Sequence, residues 1–264
     1  MVMESAEEVK PYNDKEAKGK QVGEMFDSIA PAYDFMNRMM TGGLHVRWRN
    51  KALKMAAAML HEGEPKMALD VACGTGDVSF RLHELFPKAH ITGLDLSAGM
   101  LKMAKEKLLQ MDSEVQNHIT FLEGDCLKMP FPDDTFNLVT VAYGVRNFEH
   151  LESGYREMRR VMKPGGVICV IELSEPANAP IKSLYRLYSR NVIPFIGRMV
   201  SHDTRAYSYL PESIAACPQR EKMTALMEKA GFMDVTFKSL TLGVITIYLG
   251  KKPAKGGTTH EQNE

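Results

Sequence analysis

Apolar residues along this chain recur at two spacings, and the chain changes from one to the other several times. Val22, Met25, Phe26, Ile29 and Tyr33 lie near one face of a helical stretch from Gly19 to Met40, with Pro31 placed to break or bend it. Gly42-Gly43 interrupts, and a second helix is predicted from about His45 to Leu60, closed by the turn Gly63-Glu-Pro65. Ala68 to Ala72 is a short apolar run around a single acid, Asp70, and reads as a buried strand. Cys73-Gly-Thr-Gly76 then forces a tight turn, and Asp77 to Phe86 returns to helical spacing. Further strands are predicted over His90–Leu96, His118–Glu123 and Phe136–Ala142, and from the Pro164-Gly165-Gly166 turn through Leu173. Helices are predicted from Ala98 to about Met111, capped by Ser97, and over Leu151–Met162. Beyond Asp203 helical spacing resumes, including Gln219–Ala230, and Val235–Leu240 and Val244–Leu249 form a hairpin around Thr241-Leu-Gly243.

Strands alternating with helices imply a mostly parallel sheet covered on both faces, seven-stranded once the C-terminal β-hairpin is counted, and preceded by N-terminal helices. One domain is expected over residues 19–252, between disordered tails at 1–18 and 253–264. The 264 residues suffice for one α/β core, and 33 basic residues cancel 33 acidic ones, so no net charge draws the chain to nucleic acid. Four cysteines sit far apart without metal-ligand spacing, which points to reduced thiols rather than a zinc site or disulfides. No apolar run reaches the roughly eighteen residues of a spanning helix, and the N-terminus carries no signal core. A cytoplasmic protein, at most peripheral to the inner face of a membrane, is expected; a homodimer is among the expectations.

A Gly-x-Gly turn alone is a weak signal, but Gly74 and Gly76 stand between two strand-end acids, Asp70 and Asp95. Missing side chains at the glycines let a ligand lie against the backbone, and an acid at Asp95 can accept from both hydroxyls of a ribose. A dinucleotide fingerprint wants a third glycine where Ser79 stands, and Asp77 at a helix N-terminus disfavours a phosphate. A nucleoside with a cationic end and no phosphate fits better, and S-adenosyl-L-methionine is such a ligand. The turn resembles the first motif of Rossmann-like S-adenosylmethionine-dependent methyltransferases.

Two further stretches narrow the resemblance. Tyr33-Asp-Phe-Met-Asn37 with Thr41, His45 and Trp48, and Arg160-Val-Met-Lys-Pro-Gly-Gly-Val-Ile-Cys-Val-Ile-Glu-Leu-Ser174, resemble the two diagnostic motifs of the ubiquinone/menaquinone biosynthesis C-methyltransferases. The likeness runs from about Gly19 to Lys252 and takes in Pro130-Phe-Pro-Asp133 and Gly144-Val-Arg-Asn147. Thr41 stands where the family usually has serine, and Ala142 where some relatives have a cofactor-contacting serine. The family implies methyl transfer to a ring carbon of a polyprenylated quinol, without a metal. Demethylmenaquinol, giving menaquinol, is the acceptor expected here; the alternatives are a benzoquinol of ubiquinone biosynthesis, a soluble phenol, and a non-catalytic nucleotide-binding scaffold.

The same resemblance implies roles. Thr75 and Asp95 are expected at the cofactor, with Asp95 on the ribose, and Asp125 and the Cys126 N–H on the adenine, which Leu96 and Met100 can flank. Asp70 either orients the cofactor's ammonium or accepts backbone N–H groups of the turn. Tyr33, His45, Arg146 and Asn147 are expected on the catalytic side. A phenol titrates near 10 in water, so His45 is expected to accept its proton and the Arg146 guanidinium to favour the phenolate. The plainer alternative for Arg146 is a brace to Glu149 or Glu172. Residues 181–200, apolar and aromatic with interspersed basic residues, are expected to form a substrate lid with transient membrane contact; an amphipathic helix packed on the sheet explains the pattern equally well. His150 is held to a surface role.

Overall fold

The computed structural model of the protein describes residues 6–13, 15–60, 63–192 and 204–254. Seven strands form one sheet: β1 (Met67–Val71), β2 (His90–Asp95), β3 (Ile119–Glu123), β4 (Phe136–Ala142), β5 (Met162–Leu173), β6 (Met233–Leu240) and β7 (Ile245–Lys251). Their order is β3-β2-β1-β4-β5-β7-β6, parallel from β3 to β5, with β7 antiparallel between β5 and β6. The chain winds outward from β1 to β3, then returns to the other side of β1 for β4. That reversal opens a crevice at the carboxyl ends of β1 and β4, where a doubly wound sheet carries its ligand. Register sets Asp70 opposite Gly93 on one side and Thr140 on the other.

The helical stretch read over Gly19–Met40 is two helices, α1 (Lys18–Ile29) and α2 (Tyr33–Thr41), parted by a 3-10 turn at Ala30–Ala32 that holds Pro31. Gly42 and Gly43 take φ of +56° and +78°, which ends α2 and starts α3 (Leu44–Ala57). Next come α4 (Asp77–Leu85) and α5 (Ala98–Leu109), whose first turn Ser97 caps by accepting from the Met100 N–H at 3.0 Å. A short helix, α6 (Ser113–His118), fills the gap left between the predicted helix and strand and takes in His118, expected to begin the strand. α7 (Leu151–Val161) and α8 (Ala179–Leu187) follow; α8 continues into a π turn at Tyr188–Val192. The helices Thr204–Ala216 and Glu221–Lys229 precede β6 and β7. Of the expected lid, 193–200 lies outside the described residues, as does 255–264 of the expected C-terminal tail.

One core layer packs Tyr155, Met158, Met223 and Met227 against the sheet, and another packs Trp48, Leu53, Leu82 and Leu101 against the sheet. A third cluster, with Met25, Ile29, Met36, Met100 and Tyr209, joins α1, α2, α5 and the helix Thr204–Ala216.

The described residues of the N-terminal tail depart from the disordered segment expected there. Ala6, Val9 and Lys18 are buried. Glu7 Oε1 accepts from the Leu151 N–H at 2.9 Å, and Gln21 Oε1 accepts from the N–H groups of Tyr12 and Asn13, each at 2.9 Å. Side chains capping backbone groups, rather than a periodic apolar face, hold this segment, so spacing does not reveal it.

Candidate active site

The turn after β1 is fastened from below and from the side. The Gly74 N–H donates to Asp95 Oδ2 at 2.7 Å, and the Ser97 N–H donates to Asp95 Oδ1 at 2.9 Å. Asp95 thereby ties the β1 turn to the end of β2, and each oxygen keeps a lone pair for a ligand; burial pushes its carboxyl pKa up. Asp70 is buried beneath the turn and accepts from the hydroxyls of Ser79, at 2.8 Å, and Thr140, at 2.9 Å. Hydroxyls, not the turn's backbone N–H groups, are its hydrogen-bond donors, and burial pushes its carboxyl up to about 7. Thr75 Oγ1 donates to Asp34 Oδ1 at 2.7 Å and accepts from Lys107 Nζ at 3.0 Å.

Three adjoining cavities open at this crevice, of about 780, 1010 and 380 Å³ counting the space at their mouths. The first is lined by Gly74, Asp95, Leu96, Met100, Asp125 and Cys126, under Gly19, Val22 and Phe26 of α1. The second is walled by Met36, Met40, Trp48, Tyr185, Tyr188 and Tyr209, with Asn37, Thr41, His45, Arg146 and Asn147 as its polar groups. The third, smallest, joins Asn37, Arg49, Asp70, Thr75 and Asp77. Among the described residues, Tyr33 and Tyr143 alone line all three.

The cofactor residues expected from the sequence are thus brought together, with one correction. Gly76 lines none of the three cavities. A Cβ there would stand 2.7 Å from Phe121, and its φ is +83°, so this glycine serves core packing and the start of α4. The Cys126 thiol is raised by burial and is no nucleophile. His150 is exposed, 3.7 Å from Glu7, and away from all three.

On the other side of the crevice, Arg146 lines the second cavity and is ion-paired. Its Nη1 lies 2.8 Å from Glu172 Oε1, its N–H donates to Glu172 Oε2 at 3.3 Å, and both side chains are buried. Nη1 also donates to the carbonyl of Tyr143, which accepts from Asn147 Nδ2 at 3.4 Å as well. The acidic brace is therefore the arrangement found, and it clamps Tyr143, a non-glycine residue at φ +61°. The Tyr143 hydroxyl is buried and has no hydrogen-bond partner among the described residues.

His45 is buried, with Nδ1 2.6 Å from Thr41 Oγ1. Thr41 spends its one proton on the Asn37 carbonyl at 2.7 Å, so His45 must donate through Nδ1 and keeps its lone pair on Nε2. Burial, helped by Arg49, holds its pKa below the usual 6.5, leaving a neutral imidazole at pH 7.

Sequence reasoning missed a charged cluster at the third cavity. Arg49 Nη1 lies 2.9 Å from Asp77 Oδ2, and Lys107 Nζ lies 2.9 Å from Asp77 Oδ1 and 2.6 Å from Asp34 Oδ2. Burial works against the Asp77 carboxylate, but Arg49 and Lys107 outweigh it and hold its pKa low. Asp34 sat inside a recognised motif; Arg49 and Lys107 carried no local signal.

The fold resembles that of the [4+2]-cyclase SpnF, with TM-score 0.60 at 16% identity over 89% of this chain and 97% of that one. A possible histamine N-methyltransferase from Thermotoga maritima gives TM-score 0.59 at 17% identity over 87% and 99%. Such a likeness shows the fold alone, since this fold also carries a cyclase. Sequence relatives are much nearer. Demethylmenaquinone methyltransferases of Porphyromonas gingivalis and Deinococcus radiodurans are each 41% identical, over 95% and 94% of this chain and 100% and 99% of theirs. The ubiquinone/menaquinone biosynthesis C-methyltransferase UbiE of Pseudomonas aeruginosa is 38% identical over 89% of this chain and 90% of its own. A family model matches residues 14–252, nearly the whole described chain, and with it this protein belongs to the ubiE/COQ5 methyltransferase family.

Proposed function

We propose that this methyltransferase acts on a ring carbon of a polyprenylated quinol, with demethylmenaquinol as preferred acceptor and menaquinol as product. Its methyl donor is S-adenosyl-L-methionine. The observation that carries the acceptor reading is the second cavity, an aromatic-walled apolar space that meets the first through Phe26, Tyr33, Tyr143 and Asn147. Relatives at 41% identity are named for demethylmenaquinone and those at 38% for both quinone pathways, which orders the acceptors.

The residues present fit the donor. Gly74, at φ +55°, keeps a side chain out of the cavity wall, Asp95 keeps free lone pairs, and the Tyr143 hydroxyl lacks a partner among the described residues. Asp95 would hold the ribose, Asp125 and the Cys126 N–H the adenine between Leu96 and Met100, and Asp70 the ammonium in the third cavity. When bound, the donor supplies an electrophilic methyl on a cationic sulfur. The chain's task is to align the acceptor carbon and make it electron-rich. His45, neutral and with Nε2 free, takes the phenolic proton. Arg146, already paired with Glu172, acts with Asn147 by fixing the Tyr143 loop between donor and acceptor.

The prenyl tail leaves toward an apolar rim. Phe35 and Met39 of α2, Leu184 and Leu187 of α8, and Leu242 are exposed. The Tyr188 hydroxyl on the Met40 carbonyl, at 2.8 Å, and Trp48 Nε1 on Thr241 Oγ1, at 2.8 Å, set these elements around the second cavity. Lys182 and Arg186 are engaged by Glu175, both at 2.9 Å, so contact with a lipid surface would be made by apolar side chains. No helix among the described residues is long and apolar enough to cross a membrane. Methyl-transfer assays at matched concentrations of demethylmenaquinol, a prenylated benzoquinol and a soluble phenol test the reading. Preferred turnover of demethylmenaquinol is expected; equal or faster turnover of the benzoquinol moves the acceptor, and no turnover of either prenylated quinol refutes it.

A further inference from the structure

The sulfur of S-adenosylmethionine is the atom at which the adenosyl arm, the amino-acid arm and the transferable methyl meet. If the three cavities take the adenosyl arm, the amino-acid arm and the acceptor, residues common to all three walls stand at the sulfur. Among the described residues those are Tyr33 and Tyr143. We propose that Tyr33 and Tyr143 form the subsite for the cationic sulfur centre and distinguish the charged donor from its neutral product. The inference rests on the cavity assignment made above.

Three independent features support it. The Tyr143 hydroxyl is buried with no hydrogen-bond partner among the described residues, so its oxygen lone pairs are free for polarised methyl C–H groups. Tyr143 also holds a costly backbone conformation, φ +61°, kept in place by the donors that Arg146 and Asn147 spend on its carbonyl. Tyr33 stands edge-on to Phe26, centroids 6.0 Å apart, and its Cε1 would lie 4.0 Å from a Cβ at Gly74, so the ring closes over the glycine turn at van der Waals distance. Burial raises both phenols, which keeps them uncharged.

Neutral tyrosines suit this position. A carboxylate would hold the sulfonium so firmly that part of the attraction would be lost as its charge disappears in the transition state. The nearby acids are otherwise engaged, Asp70 by hydroxyls and Asp95 by backbone N–H groups. Tyr143 then supplies an oxygen and Tyr33 an aromatic face, weak attractions that the neutral thioether product does not draw on.

The test compares calorimetric affinities for S-adenosylmethionine and S-adenosylhomocysteine, which share both arms and differ in the methyl and the charge. Tyr143→Phe should lower the ratio of the two affinities about two- to fivefold, almost wholly through the charged ligand. Tyr33→Leu should lower it about three- to thirtyfold, and Tyr33→Phe, which keeps the ring, should restore it. Tyr143→Phe deletes only an unpartnered hydroxyl, so melting curves should show no loss of stability. Sinefungin, whose ammonium replaces the sulfonium methyl, should follow S-adenosylmethionine. An unchanged ratio in Tyr143→Phe and Tyr33→Leu, or equal weakening of both ligands, overturns the inference. Asp95→Ala, which removes a contact to the shared ribose, should weaken both ligands alike by tenfold or more; wild-type affinity in that variant overturns the cavity assignment itself.

Discussion

Replacing Asp70 with asparagine should make the free protein more stable at pH 8 and a worse binder of its cofactor. The carboxyl is buried, satisfied by the hydroxyls of Ser79 and Thr140, and in no ion pair among the described residues. Burial lifts its pKa from the usual 3.8 to about 7. At about 1.4 kcal/mol for each tenfold in the proton equilibrium, ionising Asp70 in the folded protein costs roughly 4 kcal/mol above pH 7. The sign follows from linkage. Between pH 3.8 and about 7 the folded state holds a proton that the unfolded state has released, so stability falls as pH rises through that window. Asparagine keeps the size, can bond both hydroxyls, and carries no charge, so the variant should gain up to about 4 kcal/mol at pH 8 and little at pH 4. An ammonium in the third cavity would instead draw the proton off Asp70. Cofactor affinity in the wild type should therefore rise as pH climbs toward 7. It should then decline above about 8, where α-amino groups titrate. Denaturant unfolding at pH 4 and 8, with calorimetric titration between pH 5.5 and 8.5, measures both. An asparagine variant with unchanged stability at pH 8 and a wild-type pH profile of binding would refute the reasoning.

Arg146→Met should cost about 3–5 kcal/mol of stability because Glu172 is left buried and unpaired, and Arg146→Met/Glu172→Gln should recover most of it without recovering methyl transfer; unfolding curves beside single-turnover assays decide. In His45→Gln the chemical rate should fall about a hundredfold and the acid limb of the pH–rate profile, lying below 6.5 in the wild type, should disappear. Lys18→Met should expose residues 6–13 to hydrogen exchange, since Lys18 Nζ bonds the carbonyls of Ala6 and Arg146. Burial holds Lys18 at about 8 against the usual 10.5, so wild-type stability should rise with pH across that interval and the rise should vanish in the variant.

The sheet was legible because strand and helix spacings differ and β1 to β4 are short, largely apolar runs. The glycine turn and Asp95 were legible for the same reason, being neighbours of strand ends. Arg146 was legible as a site residue but not in its pairing. Glu172 lies 26 residues away, and only the register of β4 on β5, Ala142 beside Ile171, brings the two together. In the loop after β4 the positive φ falls on Tyr143 and not on the neighbouring Gly144. A Cβ at Gly144 would stand 2.7 Å from that of Ala72, so the glycine lets the loop after β4 approach the turn after β1. Gly76 was misplaced for a similar reason: whether a glycine faces a ligand or a phenylalanine is decided by packing from β3.

The described N-terminal segment also bears on the order in which the site assembles during synthesis. Residues 6–36 emerge before any strand, yet their fastenings reach far ahead in the chain: Lys18 to Arg146, 128 residues on, and Glu7 to Leu151, 144 residues on. At about 5–20 residues per second, those partners leave the ribosome roughly 6–30 s after the segment that needs them. Loop closure over such a span is slow to be rewarded, so the fastenings of Glu7 and Lys18 close after the crevice between β1 and β4 has its walls. A nascent chain halted before β4 would carry the segment's whole sequence and could seat α1 on α5, but would lack Arg146 and Leu151, to which its N-terminal end is fastened.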